Sequence, residues 1–373
     1  MGDAGAKRVV VAMSGGVDSS VAAALLVRAG HHVHGLMLRL WSEPAGCLEG
    51  CPGSQAANRC CTPEQVADAQ RVADILGIPF DTLDAVLLFR STVVQDFIDT
   101  YSAGLTPNPC VVCNRWIRFG FLLEHAKTIG AQYLATGHYV RVEQVDGGYQ
   151  LLRGVDEAKD QSYVLYMLNQ FHLAHLLFPV GGYPKTQIRD LAHEWGLPVA
   201  AKADSQDLCF LADGDYRRFL RQHAPEAVRP GPIEDLEGRR LGEHRGLNAY
   251  TIGQRRGLGI SAPQPLYVAG IDRARNAILV GPKDAARRRQ LVTKNTEWVA
   301  GRPPAGGRPI EVEVRIRYHA RPQPATVTPG PGGRATVRFA SALSDVAPGQ
   351  AAVFYWGEVC LGGGTISPLE AVA

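Results

Sequence analysis

Residues 8–20 read RVVVAMSGGVDSS, an apolar run followed at once by a turn of small residues. The run RVVVAM (8–13) is short and almost fully apolar, which is typical of a parallel strand buried on both faces. Residues 17–29 have helical composition, and Gly30 after them is a helix-stop signal. A buried strand, a glycine-rich turn and a helix predict the first unit of a doubly wound parallel α/β sheet.

Strands and helices keep alternating over the first 140 residues. HVHGLML (32–38) predicts a second strand, and YLATGHY (133–139) predicts a strand that leads into a loop. TPEQVADAQRVADILG (62–77) predicts a helix, because it starts with a capping box and a proline and ends at a glycine. The ligands of such a sheet lie beyond the carboxyl ends of its strands.

The turn after the first strand is suited to bind an anion. Ser14, Gly15 and Gly16 let successive backbone N–H groups face one anion, and the helix that begins near Asp18 adds the positive end of its dipole. No lysine follows at the spacing of a Walker loop. Asp18 either caps this helix or helps to hold Mg²⁺, and the sequence leaves both interpretations open.

The composition changes along the chain and predicts three domains. The predicted domains span residues 1–210, 211–288 and 289–373. The central part mixes a short helix, DYRRFLRQH (215–223), with strand-like pairs. In the last part EVEVRIRY (311–318) alternates apolar and charged residues, and ATVRF (335–339) and AAVFYW (351–356) follow. Short strands at this spacing predict a small antiparallel β-barrel.

Composition narrows the class of protein. Of the 373 residues 46% are apolar, and the formal net charge is +3. No apolar run approaches the roughly 18 residues of a membrane helix, so we expect a cytoplasmic protein without a membrane partner. The eight cysteines then favour buried thiols, metal ligands or catalytic thiols over disulfides. Arginine clusters concentrate after residue 210; each one alone is typical of a solvated surface, and the five together are compatible with an RNA-binding face.

Cysteines provide candidate nucleophiles. TPNPCVVCN (106–114) holds Cys110 and Cys113 in a C-x-x-C spacing, and Cys209 lies in a polar segment. A thiolate, or a thiol carrying an extra sulfur, could attack an activated substrate. A zinc site is disfavoured, because no fourth ligand follows at a typical spacing. A redox-active pair is disfavoured further, because no thioredoxin-like unit surrounds the two cysteines.

A second cysteine group lies in residues 46–61. Its members are Cys47, Cys51, Cys60 and Cys61. Adjacent cysteines make a poor tetrahedral pair, so we expect a mobile loop with incidental thiols, and a metal site is the alternative.

Seven motifs occur in order between residue 8 and about residue 365. They are AMSGGVDSS, TPNPCVVCNRWIRFG, ATGHYVR, KDQSYVL, DSQDLCF, YTIGQRRGLGI and PGQAAVFY. In this order they resemble the bacterial tRNA-specific 2-thiouridylases, members of the PP-loop ATP pyrophosphatases with an adenine nucleotide alpha hydrolase-like fold. The resemblance implies that ATP adenylates the wobble uridine of tRNA and that persulfide sulfur is transferred to C2.

The resemblance also implies roles for individual residues. ATP would be bound by Ala12, Met13, Ser14, Gly15, Gly16, Val17, Asp18, Ser19, Leu38 and Gly137. The catalytic nucleophile would be Cys113 and the persulfide carrier Cys209. The target base would contact Asn108, Pro109 and Cys110. Further tRNA contacts would come from His138, Lys159, Asp160, Gln161, Arg317, Tyr318 and Gln350. From its own pattern, Asp160 could instead start a helix over SYVLYML.

The implied cofactors are ATP and Mg²⁺, and the implied partners are the anticodon stem-loop of tRNA and a sulfur donor such as a cysteine desulfurase. Some members of the family carry Asp where Cys110 stands, so Cys110 is not required for the chemistry in general. Cys110, Cys113 and Cys209 could instead hold a [4Fe–4S] cluster with one open iron. A further alternative is another PP-loop enzyme, of the amidotransferase or argininosuccinate synthase type.

Overall fold

The computed structural model describes residues 5–43, 62–203, 208–211, 213–225 and 228–368. Cys47, Cys51, Cys60 and Cys61 lie outside the described residues, so their predicted roles stay predictions. The strands, in chain order, are β1 (Arg8–Ala12), β2 (His32–Arg39), β3 (Phe80–Asp84), β4 (Tyr133–Ala135), β5 (Val140–Val145), β6 (Gly148–Arg153), β7 (Leu176–Leu177), β8 (Gly231–Glu234), β9 (Arg240–His244), β10 (Tyr267–Asp272), β11 (Ala277–Gly281), β12 (Arg288–Trp298), β13 (Ile310–Arg315), β14 (Gln323–Gly330), β15 (Arg334–Leu343), β16 (Ala351–Trp356) and β17 (Val359–Ile366).

The helices connect these strands. They are α1 (Val17–Arg28), α2 (Pro63–Leu76), α3 (Val86–Phe89), α4 (Gln95–Ser102), α5 (Pro109–Cys113), α6 (Leu123–Thr128), α7 (Gln170–Leu173), α8 (Lys185–Glu194) and α9 (Tyr216–His223). Two π-helical segments join α3 to α4 and α5 to α6, over Arg90–Val94 and Asn114–Leu122. Short 3₁₀ turns cover Ser162–Val164, Leu247–Ala249, Lys283–Ala286 and Pro304–Gly307.

The first sheet confirms the predicted doubly wound α/β fold. Its strands are parallel and lie in the order β3-β2-β1-β4-β7. Alternate residues of β1 enter different cores: Val9 and Val11 pack with α1, α2 and α8, whereas Val10 packs with Leu36 and the helices after β3. Both faces of the sheet are therefore covered, which is why β1 is apolar after Arg8.

Most local predictions in this domain are confirmed. Helix α2 begins with the capping box of Thr62 and Gln65, and Gly77 ends it in a left-handed conformation (φ +66°). The strand predicted over residues 133–139 stops at Ala135, where the chain turns toward α1.

A helix starting at Asp160 is a wrong prediction, because only the 3₁₀ turn Ser162–Val164 follows. Asp160 Oδ1 accepts hydrogen bonds from Ser162 N at 3.1 Å and Gly154 N at 3.2 Å, and Oδ2 pairs with Arg315. These bonds form a tight turn at residues 160–162 in place of a helix start.

The end of the chain forms the predicted antiparallel barrel. Its strands lie in the order β12-β15-β14-β13-β16-β17, and pairing of β12 with β17 closes the barrel. Three apolar residues of EVEVRIRY, namely Val312, Val314 and Ile316, are buried inside it. Strand β13 ends at Arg315, three residues earlier than the alternating pattern.

Strand pairing and helix packing tie the first domain to the rest of the chain. The hairpin β5–β6 follows β4 in sequence but extends the barrel sheet, with Leu151 opposite Cys360. Helix α9 packs Phe219 against Phe97 and Phe210, at 5.9 and 5.6 Å between ring centroids. The domain boundaries at residues 210 and 288 stay predictions.

A buried ion pair crosses from the first domain to the barrel. Arg315 Nη1 lies 2.9 Å from Asp160 Oδ2, and the two side chains are 10% and 1% exposed. Ser162 Oγ donates to the same carboxylate oxygen at 2.9 Å and lies 3.1 Å from the Tyr355 hydroxyl. Breaking such a pair leaves a buried charge without its counter-charge, which is strongly destabilising.

We expect Asp160→Asn to lower the free energy of unfolding by about 3–5 kcal/mol, because Arg315 keeps its charge inside the protein. Asp345→Asn is the matched control, since Asp345 pairs with Arg317 at 3.7 Å with both side chains 40% exposed. That control should cost under about 1 kcal/mol. Denaturant unfolding of both variants measures the difference, and equal losses would contradict the assignment.

Candidate active site

The turn of Ser14, Gly15 and Gly16 after β1 is called the phosphate loop below. A cavity of about 960 Å³ lies beyond the carboxyl end of β1, between this loop, the segment around α5 and the barrel. The predicted site residues that line it are Ser14, Gly16, Val17, Asp18, Asn108, Pro109, Cys110, Cys113, Gly137, His138, Lys159, Gln161, Cys209, Tyr318 and Gln350. The predicted residues that are not among its lining are Ala12, Met13, Gly15, Ser19, Leu38, Asp160 and Arg317. Folding thus brings nucleotide, cysteine and tRNA candidates to one cavity.

The phosphate loop presents the start of α1 to this cavity. Gly16 is the N-cap residue, and no side chain caps the helix. Ser19 Oγ accepts a hydrogen bond from Ser14 N at 3.1 Å and donates to Gly16 O at 3.2 Å, which fixes the loop. An uncapped helix start with its positive dipole end toward a cavity is an anion-binding arrangement.

Two glycines allow close approaches around this helix start. Gly15 has φ +66°, and a Cβ there would lie 2.4 Å from the backbone oxygen of Gln65. A Cβ on Gly137 would lie 2.7 Å from Ser19 N and 2.8 Å from the carbonyl carbon of Asp18. Only glycine therefore lets the loop after β4 touch the first turn of α1.

The structure excludes one of the two interpretations of Asp18. Its carboxylate does not cap α1. Oδ1 accepts a hydrogen bond from the Tyr139 hydroxyl at 2.6 Å, and Lys185 Nζ lies 2.6 and 2.8 Å from Oδ1 and Oδ2. The cap interpretation is wrong, and Mg²⁺ binding by Asp18 stays a prediction.

Sequence analysis missed two lysines at this loop. Lys185 binds Asp18, and Lys202 Nζ donates to Gly15 O at 2.8 Å and to Asp68 Oδ2 at 2.7 Å. Both follow the loop by more than 150 residues in sequence, so no local pattern connects them to it. The local signal for Lys185 is its place as the first residue of α8, which is weak by itself, and Lys202 has no such signal.

Both cysteines of TPNPCVVCN lie on one continuous stretch of helical backbone, residues 109–128, which is called the cysteine helix below. Asn108 Oδ1 accepts a hydrogen bond from Val111 N at 3.3 Å, and Pro109 occupies the first helical turn. Asn108 and Pro109 thus start a helix, a signal that the sequence analysis did not use. Their contact with a base stays a prediction.

One face of this helix lines the cavity. Cys110, Cys113, Asn114 and Arg118 share it, since residues three or four apart are neighbours on a helix surface. Asn114 Nδ2 donates to the carbonyl oxygen of Val164 at 3.1 Å and fixes the helix against the turn after Asp160. Cys110 is exposed to the cavity, Cys113 is buried, and Cys209 is half-buried.

The surroundings of the cavity shift the pKa values of Cys110 and His138. Enclosure by protein raises the pKa of the Cys110 thiol, although the Arg118 guanidinium acts in the opposite direction. Burial and, to a smaller extent, Arg118 lower the pKa of His138 to about 3, and His138 Nδ1 lies 2.7 Å from Thr136 Oγ1. His138 is therefore a neutral hydrogen-bonding group at physiological pH.

The barrel holds the chain just before Cys110. Gln350 Nε2 donates to Pro107 O at 2.7 Å and to Thr106 O at 3.3 Å. A Cβ on Gly349 would lie 2.6 Å from Thr106 O, so the two loops touch directly. The predicted tRNA contacts of Gln350 and of the buried Asp160 stay predictions, with both side chains engaged inside the protein.

Within residues 5–43, 62–203, 208–211, 213–225 and 228–368, no three His, Cys, Asp or Glu side chains come together in a way that could hold a metal ion. Cys110, Cys113 and Cys209, as they are arranged, do not fit the ligand set of a [4Fe–4S] cluster. In the same parts of the chain no helix combines the length and apolar character that crossing a membrane needs.

Three family models match the chain. Residues 7–213 match the tRNA methyl transferase HUP domain, residues 217–282 the tRNA methyl transferase PRC-barrel domain, and residues 288–366 the aminomethyltransferase beta-barrel domain. The tRNA-specific 2-thiouridylase MnmA of Chloroflexus aurantiacus is 50% identical over 363 residues, covering 97% of this chain and 99% of that protein. The chain belongs to the tRNA-specific 2-thiouridylase family.

Other members of the 2-thiouridylase family match over their full length as well. The tRNA-specific 2-thiouridylase MnmA of Roseiflexus castenholzii is 48% identical and covers 96% of this chain and 99% of its own. That of Moorella thermoacetica is 46% identical and covers 97% of this chain and 100% of its own. The resemblance read from the seven motifs is confirmed.

We expect Gly137→Ala to push the loop after β4 away from α1, because its Cβ would meet backbone atoms. Such overpacking costs about 1–3 kcal/mol of stability. We expect ATP binding to weaken by about tenfold or more. Gly182→Ala is the matched control, since its Cβ would meet nothing within 4 Å. Calorimetric ATP binding tests both, and equal affinities would contradict this role.

His138 makes stability depend on pH. Its pKa is about 6.5 when unfolded and about 3 when folded, so the unfolded chain binds a proton first as the pH falls. Its contribution to stability is fully present above pH 6.5 and is lost toward pH 3. In the wild type this group lowers the free energy of unfolding by up to about 1.4 kcal/mol for each pH unit below 6.5, and we expect His138→Gln to abolish that decrease. Denaturant unfolding at a series of pH values measures the effect, and equal slopes of the free energy of unfolding against pH for the two proteins would refute it.

Proposed function

We propose that this protein is an ATP-dependent tRNA 2-thiouridylase, which forms 2-thiouridine at the wobble position together with AMP and pyrophosphate. The observation that carries the proposal is the single cavity shared by the phosphate loop, Cys113 and Cys209. Relatives that are 46–50% identical over nearly the whole chain are named tRNA-specific 2-thiouridylase. They favour this function over an amidotransferase or an argininosuccinate synthase, and the two thiols favour sulfur transfer over methyl transfer.

ATP would bind with its phosphates at the start of α1, where Ser14, Gly16 and Val17 face the cavity. The carboxylate of Asp18 would be at hand for Mg²⁺, which binds oxygen ligands and offsets the charge of the phosphates. Gly137 would let the nucleotide lie between the ends of β1 and β4, the position expected for ligands of such a sheet.

The target uridine must leave its stack to reach this cavity. Its base would contact Asn108, Pro109 and Cys110 at the start of the cysteine helix. Lys159, Gln161 and Tyr318 line the same cavity from the turn after β6 and from the barrel. Arg317, half-exposed next to Tyr318, would contact the tRNA backbone. The first domain and the barrel would thus both contact the anticodon stem-loop.

Sulfur would arrive as a persulfide on Cys209, supplied by a donor such as a cysteine desulfurase. The uracil O2 attacks the α phosphorus of ATP, and pyrophosphate leaves. The Cys113 thiolate then attacks the Cys209 sulfur, forming a Cys113–Cys209 disulfide and releasing hydrosulfide. Hydrosulfide attacks C2, AMP leaves with the O2 atom, and an external thiol reduces the disulfide before the next turnover.

We expect Cys113→Ser and Cys209→Ser each to lower tRNA thiolation by about a thousandfold or more, because a hydroxyl cannot carry or release the sulfur. ATP affinity should stay at the wild-type value. Labelled-sulfur incorporation into tRNA measures the loss.

Two other cysteines provide the controls. Cys360→Ala should retain thiolation, since Cys360 is buried opposite Leu151 of β6 and is not among the residues that line the cavity. Cys110→Ser should stay within about tenfold of the wild-type rate, a modest loss for a residue outside the sulfur-transfer steps. Wild-type thiolation in both the Cys113 and the Cys209 variants would refute the mechanism.

A further inference from the structure

A lysine that belongs to none of the predicted groups lies at the phosphate loop. Lys185 is the first residue of α8, and its side chain is only 11% exposed. Its ammonium group lies 2.6 and 2.8 Å from the two oxygens of Asp18, in the first turn of α1. The same side chain lines the cavity, so its position faces any ligand that binds the start of α1.

The backbone holds Lys185 firmly at this position. Its N–H donates to Asp156 Oδ2 at 2.9 Å, and Pro184 precedes it with an extended backbone (φ −68°, ψ 150°). The four-carbon side chain can therefore move its charge over several ångströms while its Cα stays in place.

Asp18 does not depend on Lys185 alone for a hydrogen bond. The Tyr139 hydroxyl donates to Asp18 Oδ1 at 2.6 Å. Tyr139 is itself held, because its backbone N–H donates to Gln161 Oε1 at 2.9 Å. Asp18 thus keeps one hydrogen bond when Lys185 turns to another anion.

The charges around the start of α1 indicate that Lys185 binds a negatively charged ligand there. A carboxylate in the first turn of α1 opposes the binding of phosphates there, because like charges repel across a low-dielectric site. Among the described residues that line the cavity, the charged side chains are Asp18, Arg118, Lys159 and Lys185. Lys185 is a cation of this group that is bonded directly to α1.

We propose that Lys185 binds the pyrophosphate portion of ATP and stabilises it as the leaving group. This inference rests on the proposed function. An anion at the start of α1 lies within the swing of a side chain whose Nζ already contacts that turn. When O2 of the uracil attacks the α phosphorus, the bond to the bridging oxygen breaks and its electron pair goes to pyrophosphate. The ammonium group offsets the charge that develops there.

Labelling of the wild-type full-length chain tests the contact directly. An ATP analogue that carries an acyl group on its terminal phosphate transfers that group to a lysine amine beside the phosphates, and ATP is released. We expect peptide mass spectrometry to find Lys185 acylated, and an excess of ATP to prevent it. Acylation of other lysines such as Lys159 or Lys202, with Lys185 unmodified, would overturn the inference. The absence of any ATP-protected labelling would instead refute the proposed use of ATP.

Binding measurements give the second test. We expect Lys185→Gln, which can still hydrogen-bond Asp18, to weaken binding of ATP and of inorganic pyrophosphate by about 10-fold to 100-fold, and to leave AMP binding within about twofold. Lys185→Arg keeps the charge and should recover part of the loss. Lys7→Ala is the matched control, since Lys7 precedes β1 at the amino end of that strand, whereas the phosphate loop follows its carboxyl end. Unchanged pyrophosphate affinity, or an equal loss for AMP, would overturn the inference.

Discussion

The open start of α1 is the constraint on which the rest of the site depends. Backbone N–H groups there can meet an anion only if neighbouring segments approach without side chains in the way. Gly15 meets the backbone of α2, and Gly137 meets the backbone of α1, at distances that exclude a Cβ. The sheet order places β4 beside β1, and this neighbourhood brings Gly137 to the loop.

Charge at this helix start is balanced by residues from the far end of the domain. Asp18 lies where a phosphate would also be attracted, and Lys185 and Tyr139 hold its carboxylate. Lys202 secures the backbone oxygen of Gly15 and joins it to Asp68 of α2. The loop therefore keeps its shape through contacts with three separate segments, and its anion-binding groups are already arranged.

The barrel belongs to the site as much as the parallel sheet does. Gln350 and Gly349 hold the residues before Cys110, and the Asp160–Arg315 pair fixes the turn that carries Lys159 and Gln161. Strand β6 continues the barrel sheet, so the barrel is joined by strand pairing to the hairpin that follows β4. These contacts give a physical reason why adenylation and sulfur transfer can share one cavity.

The sequence by itself determined the local elements and the order of the motifs. Buried β1, the glycine turn, the capping box of α2 and the alternation in β13 follow from periodicity and capping, which depend on neighbours along the chain. Only the tertiary structure decided that Asp18 binds Lys185, that Asp160 pairs with Arg315 and does not start a helix, and that a hairpin joins the barrel. Those outcomes depend on ion pairs and backbone contacts between residues that are remote in sequence, and local patterns carry no information about them.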